Sequence, residues 1–106
     1  MVSNINNSQK LQFGAELSAV MTGGAVLIGT LTVAPAKIVF DNQGTVAVAI
    51  YTNGTTNLWH TFPAGEAIII DLNDPSAKGP ISIGTTFYGV GASGTFSISY
   101  LYYVTG

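Results

Sequence analysis

Residues 37–72, KIVFDNQGTVAVAIYTNGTTNLWHTFPAGEAIIIDL, decide the fold of this chain. Apolar residues alternate with polar or small ones over four short runs, which is the pattern of half-buried β-strands. Turn-forming residues separate the runs at positions 42–44 (Asn-Gln-Gly), 53–54 (Asn-Gly) and 63–65 (Pro-Ala-Gly). The stretch therefore predicts four short strands joined by tight turns.

The alternation also predicts which side chains share a face of a strand. Ile38 and Phe40 are expected to point the same way. In the third run, Leu58, His60 and Phe62 are expected on one face, with Trp59 on the other. Residues 53–54 give the strongest turn signal, because Asn and Gly both tolerate the positive φ that a type I′ hairpin requires.

Further strands are predicted on both sides of this stretch, at residues 25–33, 81–83, 86–89 and 95–104. Seven to nine short strands at turn spacings of roughly 8–12 residues are typical of a sandwich or barrel. We therefore predict an all-β, jelly-roll-like antiparallel β-sandwich over residues 25–106. Residues 1–24 are predicted to be an N-terminal arm or docking segment, whose residues 15–24 fit either a short helix or, as we favour, extended structure.

The composition excludes several classes of partner. The 106 residues include three Lys, no Arg and five acidic residues, for a net charge of -2. Nucleic acid and anionic membrane surfaces are not expected as partners, because both require clustered cations. The absence of cysteine excludes disulfides, thiolate zinc sites and thiol nucleophiles.

The low charge predicts that much of the surface is covered by protein. Only 8% of the residues are charged, against about 25% in an average soluble domain. Such a chain either faces water with Thr, Ser, Asn and Gly, or hides surface against neighbouring subunits. We favour the second alternative, a self-associating homo-oligomer.

No reaction chemistry is predicted, so the chain is expected to be a non-enzyme without a cofactor or metal. The one histidine, His60, is expected to be half-buried and hydrogen-bonded, since no nucleophile elbow accompanies it. Residues 89–94 match G-x-G-x-x-G, but a strand follows, so they predict a glycine turn. Asp71 and Asp74 could offer oxygen ligands to Ca²⁺, although a solvated turn is the simpler interpretation.

Aromatic and exposed apolar residues are the remaining functional candidates. Aromatic side chains on a sandwich pack in the core, anchor a protein interface or stack on sugar rings. The predicted interface residues are Leu11, Phe13, Tyr51, Trp59 and Tyr103. The alternative function is a carbohydrate-binding module that uses Trp59 and the tyrosines.

Residues 37–102 resemble small β-sandwich structural proteins of tailed bacteriophages. The shared pattern includes a strand ending in Asp-Asn (41–42), the Asn-Gly (53–54) and Pro-Ala-Gly (63–65) turns, and a strand ending in Ile-Asp-Leu (70–72). Gly-Thr at 84–85 and 94–95 then precede the last two strands. The first 36 residues lie outside the resemblance.

The resemblance implies a structural component of the virion, such as a capsid decoration, collar or tail accessory protein. Its partners would be copies of itself and capsid, portal or tail proteins, and it would be made in the host cytoplasm. The resemblance implies no catalytic residues.

Overall fold

The computed structural model describes residues 9–72 and 81–105. Over these residues the chain forms nine β-strands and no helix, which confirms the all-β prediction. In chain order they are β1 (Gln9–Phe13), β2 (Leu17–Val20), β3 (Ala25–Thr30), β4 (Lys37–Asn42), β5 (Val48–Thr52), β6 (Leu58–Phe62), β7 (Ala67–Asp71), β8 (Thr86–Val90) and β9 (Thr95–Thr105).

The strands form two antiparallel sheets that pack as a jelly-roll sandwich. The five-stranded sheet has the order β1-β9-β4-β7, with β2 also paired to β9, and the four-stranded sheet has the order β3-β8-β5-β6. The pairs β2 with β9, β3 with β8, β4 with β7 and β5 with β6 are nested in sequence and alternate between the sheets. This nesting is the jelly-roll arrangement, so the predicted fold is confirmed.

Residues 37–72 form the predicted four strands, but they do not all pair in succession. β4 and β7 lie in one sheet while β5 and β6 form a hairpin in the other. Asn53 and Gly54 have the predicted positive φ values, 56° and 138°. The hairpin connection nevertheless spans residues 53–57, longer than a two-residue type I′ loop, and Asn53 Oδ1 accepts a hydrogen bond from Thr86 N at 3.0 Å.

The core lies where the two sheets meet, and aromatic rings fill its centre. Phe40 on β4 is fully buried, and its ring centroid lies 4.8 Å from that of Trp59 and 5.6 Å from those of Phe62 and Phe87. Phe62 in turn packs edge-on against Phe96 on β9 at 5.1 Å. Burial of each phenylalanine contributes roughly 2–3 kcal/mol, so this cluster is a large part of the sandwich's stability.

The alternation predicted for β6 is wrong at its start, because the strand contains a β-bulge. Phe62, Thr61 and His60 face residues 48–50 in regular register, but the next residue of β5, Tyr51, faces Leu58. Trp59 is therefore the extra residue, and the bulge turns its ring toward the core. Leu58 consequently lies on the outer face, where it is 54% exposed.

The boundary between the predicted arm and the sandwich also needs correction. Leu17–Val20 form β2, an integral strand of the five-stranded sheet, which confirms extended structure there. Met21 is buried in the core at 2% exposure. The sandwich therefore includes β2 and Met21, and among the described strands only β1 lies beyond its core.

Buried Asn42 connects three segments at one end of the sandwich. Its Nδ2 group donates to the carbonyl oxygens of Val46, Phe62 and Pro63 at 2.9–3.1 Å. Its Oδ1 accepts from Gly44 N at 3.1 Å. At 1% exposure this side chain replaces the water that those groups would otherwise need. It thereby joins the β4–β5 connection to the end of β6.

Asn42→Asp is expected to destabilise the fold by about 3 kcal/mol or more at pH 7, because an acceptor oxygen then faces three carbonyl oxygens. Burial favours the neutral acid, so the folded-state pKa of the new carboxyl is raised. The loss of stability should therefore be small below about pH 4 and grow as the pH rises. Urea unfolding at several pH values measures it.

Asn57→Asp is the matched control for this substitution. Asn57 is exposed and donates to Thr52 Oγ1 at 3.0 Å in the β5–β6 loop. Its replacement should cost about 1 kcal/mol or less. Equal losses for the two variants would contradict the role assigned to Asn42.

Candidate functional site

The outer face of the four-stranded sheet presents a row of four large side chains. Cross-strand register places Leu27 opposite Tyr88, Tyr88 opposite Tyr51, and Tyr51 opposite Leu58. Leu27 and Leu58 are both more than half exposed, and the two tyrosines between them are partly exposed. The row therefore runs across all four strands as a ridge.

Smaller side chains form the adjacent row of the same face. It consists of Ala25, Val90, Ala49 and Thr61, again in direct cross-strand register. We call the two rows together the tyrosine face. The row of large side chains forms a ridge, and the row of smaller side chains forms a lower shelf beside it. Side chains of another surface could pack on the shelf and against the ridge.

The tyrosine face is free of charge. Within the described chain, none of the four strands β3, β5, β6 and β8 contains an Asp, Glu, Lys or Arg residue. Polar groups at its margin are hydroxyls, such as those of Thr30 and Thr86, whose oxygens lie 2.9 Å apart. Covering this face would therefore require no ion to lose its water.

A two-stranded ribbon extends from the other sheet. β9 pairs with β4 only through residues 96–101, whereas its residues 101–105 pair with β1. Residues 9–12 and 102–105 thus continue beyond the sandwich by roughly 14 Å, at about 3.4 Å per residue. At its base, the Tyr100 ring lies so close to Gly14 that a Cβ there would be 2.0 Å from Tyr100 Cε2.

One side of this ribbon and of its base is apolar. Leu11 lies opposite Tyr103, and Phe13 lies opposite Leu101, so the four side chains share the outer face. Phe13 is 67% exposed, and Leu11 and Tyr103 are each more than two-fifths exposed. We call these four residues the ribbon patch.

The remaining outer surface of the five-stranded sheet is different in character. Lys37 lies opposite Asp71 in the β4–β7 register, and Asp41 follows four positions later on β4. Ile69 is 71% exposed in the row between them. The charges of the strands are thus concentrated on this sheet, beside the ribbon patch.

The structure separates the five predicted interface residues into three groups. Leu11, Phe13 and Tyr103 come together in the ribbon patch, and Tyr51 lies on the tyrosine face. Trp59 does not join either surface, because the bulge in β6 packs its ring against Phe40. It acts as part of the core.

Three of the four large residues in the ridge of the tyrosine face are not among the residues predicted from the sequence. Leu27, Leu58 and Tyr88 lie on three different strands, and only the register of the sheet places them in one row with Tyr51. Alternation within strand 86–90 assigns Tyr88 to the face opposite Phe87, which is a usable signal. It does not indicate which neighbours Tyr88 meets.

The residues considered for catalysis and metal binding, His60, Asp71 and Asp74, can now be placed in the structure. His60 is partly buried and lies 3.4 Å from Glu66, Nε2 to Oε1, which confirms the half-buried, hydrogen-bonded histidine. Among the described residues there is no cluster of three or more His, Cys, Asp or Glu side chains that could hold a metal. Asp74, the second candidate for calcium, lies outside the described residues.

Residues 91–94 of the glycine motif form the predicted turn, which connects β8 to β9. Gly94 has a φ of 91°, and a Cβ on it would lie 2.7 Å from Gly44 Cα. Because Gly94 has no Cβ, the β8–β9 turn can pack closely against the β4–β5 connection at Gly44. Within the described ranges, the chain has no helix long and apolar enough to cross a membrane.

Comparison with known proteins finds a likeness in structure but no match to a family or a curated protein. A solved structure described as "Bacillus endospore appendages form a novel family of disulfide-linked pili" is similar at 14% sequence identity and a TM-score of 0.50. The match covers 94% of each chain, and at this identity it supports the β-fold alone.

Trp59→Ala should lower the free energy of unfolding by about 3–5 kcal/mol, because it removes a ring packed against Phe40 and Phe62. Tyr51→Ala, on the outer face of the neighbouring strand, should cost less than half as much. Urea unfolding of both variants at equal protein concentration tests this. A Trp59→Ala variant as stable as the parent would show that the indole is a surface group.

Proposed function

We propose that this protein is a non-enzymatic structural subunit that associates with copies of itself and docks on a larger protein assembly. The observation that supports this most directly is the pair of uncharged outer surfaces, the tyrosine face and the ribbon patch. Both expose large apolar side chains without any ion among them. Contiguous patches of this kind mark interaction sites on folded proteins.

The charge density of the whole surface supports the same proposal. The isolated chain exposes 5768 Å² of accessible surface, and the sequence supplies only three basic and five acidic residues to cover it. Soluble domains usually have surfaces with about 25–35% charged residues. Apolar and hydroxyl surface is covered at little desolvation cost, whereas buried ions would oppose association.

The structural neighbour is a component of a fibrous assembly, and it is described as disulfide-linked. This chain contains no cysteine, so its own assembly would be held by non-covalent contacts. Several modest interfaces on each subunit would together give a long-lived particle.

The resemblance of residues 37–102 to tailed-phage proteins favours the virion as the site of action. In this proposal the subunit decorates the capsid, or belongs to the collar or the tail, and contacts capsid, portal or tail proteins. A fibre built from this chain alone is the form suggested by the pilus neighbour. Negative-stain electron microscopy of the purified protein separates the two, since a decoration protein would not form filaments by itself.

Carbohydrate binding is the second candidate, supported by the adjacent Tyr51 and Tyr88 side chains on the tyrosine face. Trp59 gives it little support, because its ring packs in the core. A glycan array separates the candidates. Saturable sugar binding that is lost in Tyr88→Ala would favour the module over the structural subunit.

Self-association should be insensitive to salt or strengthen as salt is added. Screening weakens attraction between charges, but the two proposed contact surfaces contain none. Size-exclusion chromatography with light scattering at micromolar protein should therefore show masses well above 11.0 kDa at low and high ionic strength. Dissociation by added salt would show that ion pairs hold the subunits together.

A strict monomer that also fails to bind capsid, portal or tail proteins would contradict the proposed function. Pull-down with each of those proteins, using Asn57→Asp as a folded control, completes the test. Binding to one of these proteins without self-association would support the docking role and contradict the homo-oligomer.

A further inference from the structure

We propose that the ribbon patch of one copy docks on the tyrosine face of the next copy, so that the chain assembles head to tail. This inference deepens the proposed function, on which it rests, by naming the two surfaces that meet. Each copy would use both surfaces, one as donor and one as acceptor. Such a heterologous contact leaves a free surface at each end, which allows open chains or closed rings.

The two surfaces match in charge. The ribbon patch consists of Leu11, Phe13, Leu101 and Tyr103, and the tyrosine face contains no Asp, Glu, Lys or Arg. Lys37 lies directly opposite Leu101, so the row of Phe13 and Leu101 ends at the charged pair Lys37 and Asp71. Docking the patch on the uncharged sheet of a neighbour keeps those ions at the edge of the contact, where water remains.

The two surfaces also match in shape. The ribbon extends beyond the sandwich, so Leu11 and Tyr103 can reach a second molecule without a clash between the two sandwiches. On the tyrosine face, the shelf at Ala25 and Ala49 lies directly beside the ridge containing Tyr51. A projecting apolar side chain from the ribbon would fill the shelf and pack against the ridge.

The extent of burial favours use of both surfaces over pairing of the tyrosine face with itself. A dimer made through the tyrosine face alone would leave Phe13 exposed. Every inner copy of a head-to-tail chain covers both its tyrosine face and its ribbon patch, and the contact repeats along the assembly.

The test uses three lysine variants of the full chain. Phe13→Lys removes the ribbon patch, Tyr88→Lys removes the tyrosine face, and Ile83→Lys is the control, because Ile83 is 60% exposed outside both surfaces. Thermal unfolding confirms that each variant folds. If Tyr88→Lys does not fold, Leu58→Lys on the exposed edge strand replaces it.

Sedimentation velocity at micromolar concentration gives the readout. Phe13→Lys and Tyr88→Lys should each be monomeric, with association weakened at least tenfold, while Ile83→Lys should assemble like the parent. An equimolar mixture of Phe13→Lys and Tyr88→Lys should form one-to-one dimers and nothing larger. The first variant retains the acceptor surface and the second retains the donor, so a single junction can form.

Four results would overturn the inference. Self-association of Phe13→Lys alone would show that the tyrosine face pairs with itself. A mixture that remains monomeric, or variants that assemble like the parent, would show that these surfaces do not meet. A monomeric parent that still binds capsid, portal or tail proteins overturns the head-to-tail contact while leaving the docking role intact.

Discussion

The packing of Phe40 against Trp59 and Phe62 is the interaction on which the rest of the structure depends. It joins β4 of one sheet to β6 of the other at the centre of the core. Because neighbouring residues of a strand point to opposite faces, burial of the phenylalanines determines which side chains of their strands lie on the outer face. On the four-stranded sheet the side chains left outside include Tyr51 and Tyr88, and none of its strand residues is Asp, Glu, Lys or Arg.

The distribution of charge then distinguishes the two sheets. The four-stranded sheet has an outer face of tyrosine, aliphatic and threonine side chains, and the five-stranded sheet has Lys37, Asp41 and Asp71 on its strands. A free monomer would gain solubility from charged side chains on both outer faces. The difference in charge between the two sheets is explained if the outer face of the four-stranded sheet and the ribbon contact other protein molecules.

Much of the fold could be predicted from alternation and turn residues. Ile38 and Phe40 share one face as expected, both fully buried, and the nested jelly-roll pairing agrees with the predicted class. The bulge at Trp59 could not be predicted, because one unpaired residue reverses every face N-terminal to it in the strand without leaving a composition signal. Alternation therefore predicts Leu58 on the same face as Phe62 and Trp59 on the other, whereas Trp59 packs against Phe40 and Leu58 lies outside.

The candidate site was predictable only in part. Leu11, Phe13 and Tyr103 are predicted interface residues, but only the antiparallel register of β1 with β9 brings them together. The tyrosine face depends on contacts between strands far apart in the sequence, such as Tyr51 with Tyr88. Such contacts are set by sheet order, which short-range patterns do not specify.

Cross-linking between engineered cysteines tests the central claim most directly, since the natural chain has no thiol. Leu11→Cys in one copy and Ala49→Cys in a mass-tagged copy would be mixed and treated with a short bis-maleimide. The predicted product is a dimer containing one copy of each, with little product from either alone. Cross-linked Ala49→Cys homodimers, or no product above that of an unassembled control protein, would contradict the claim that the ribbon of one subunit covers the sheet of the next.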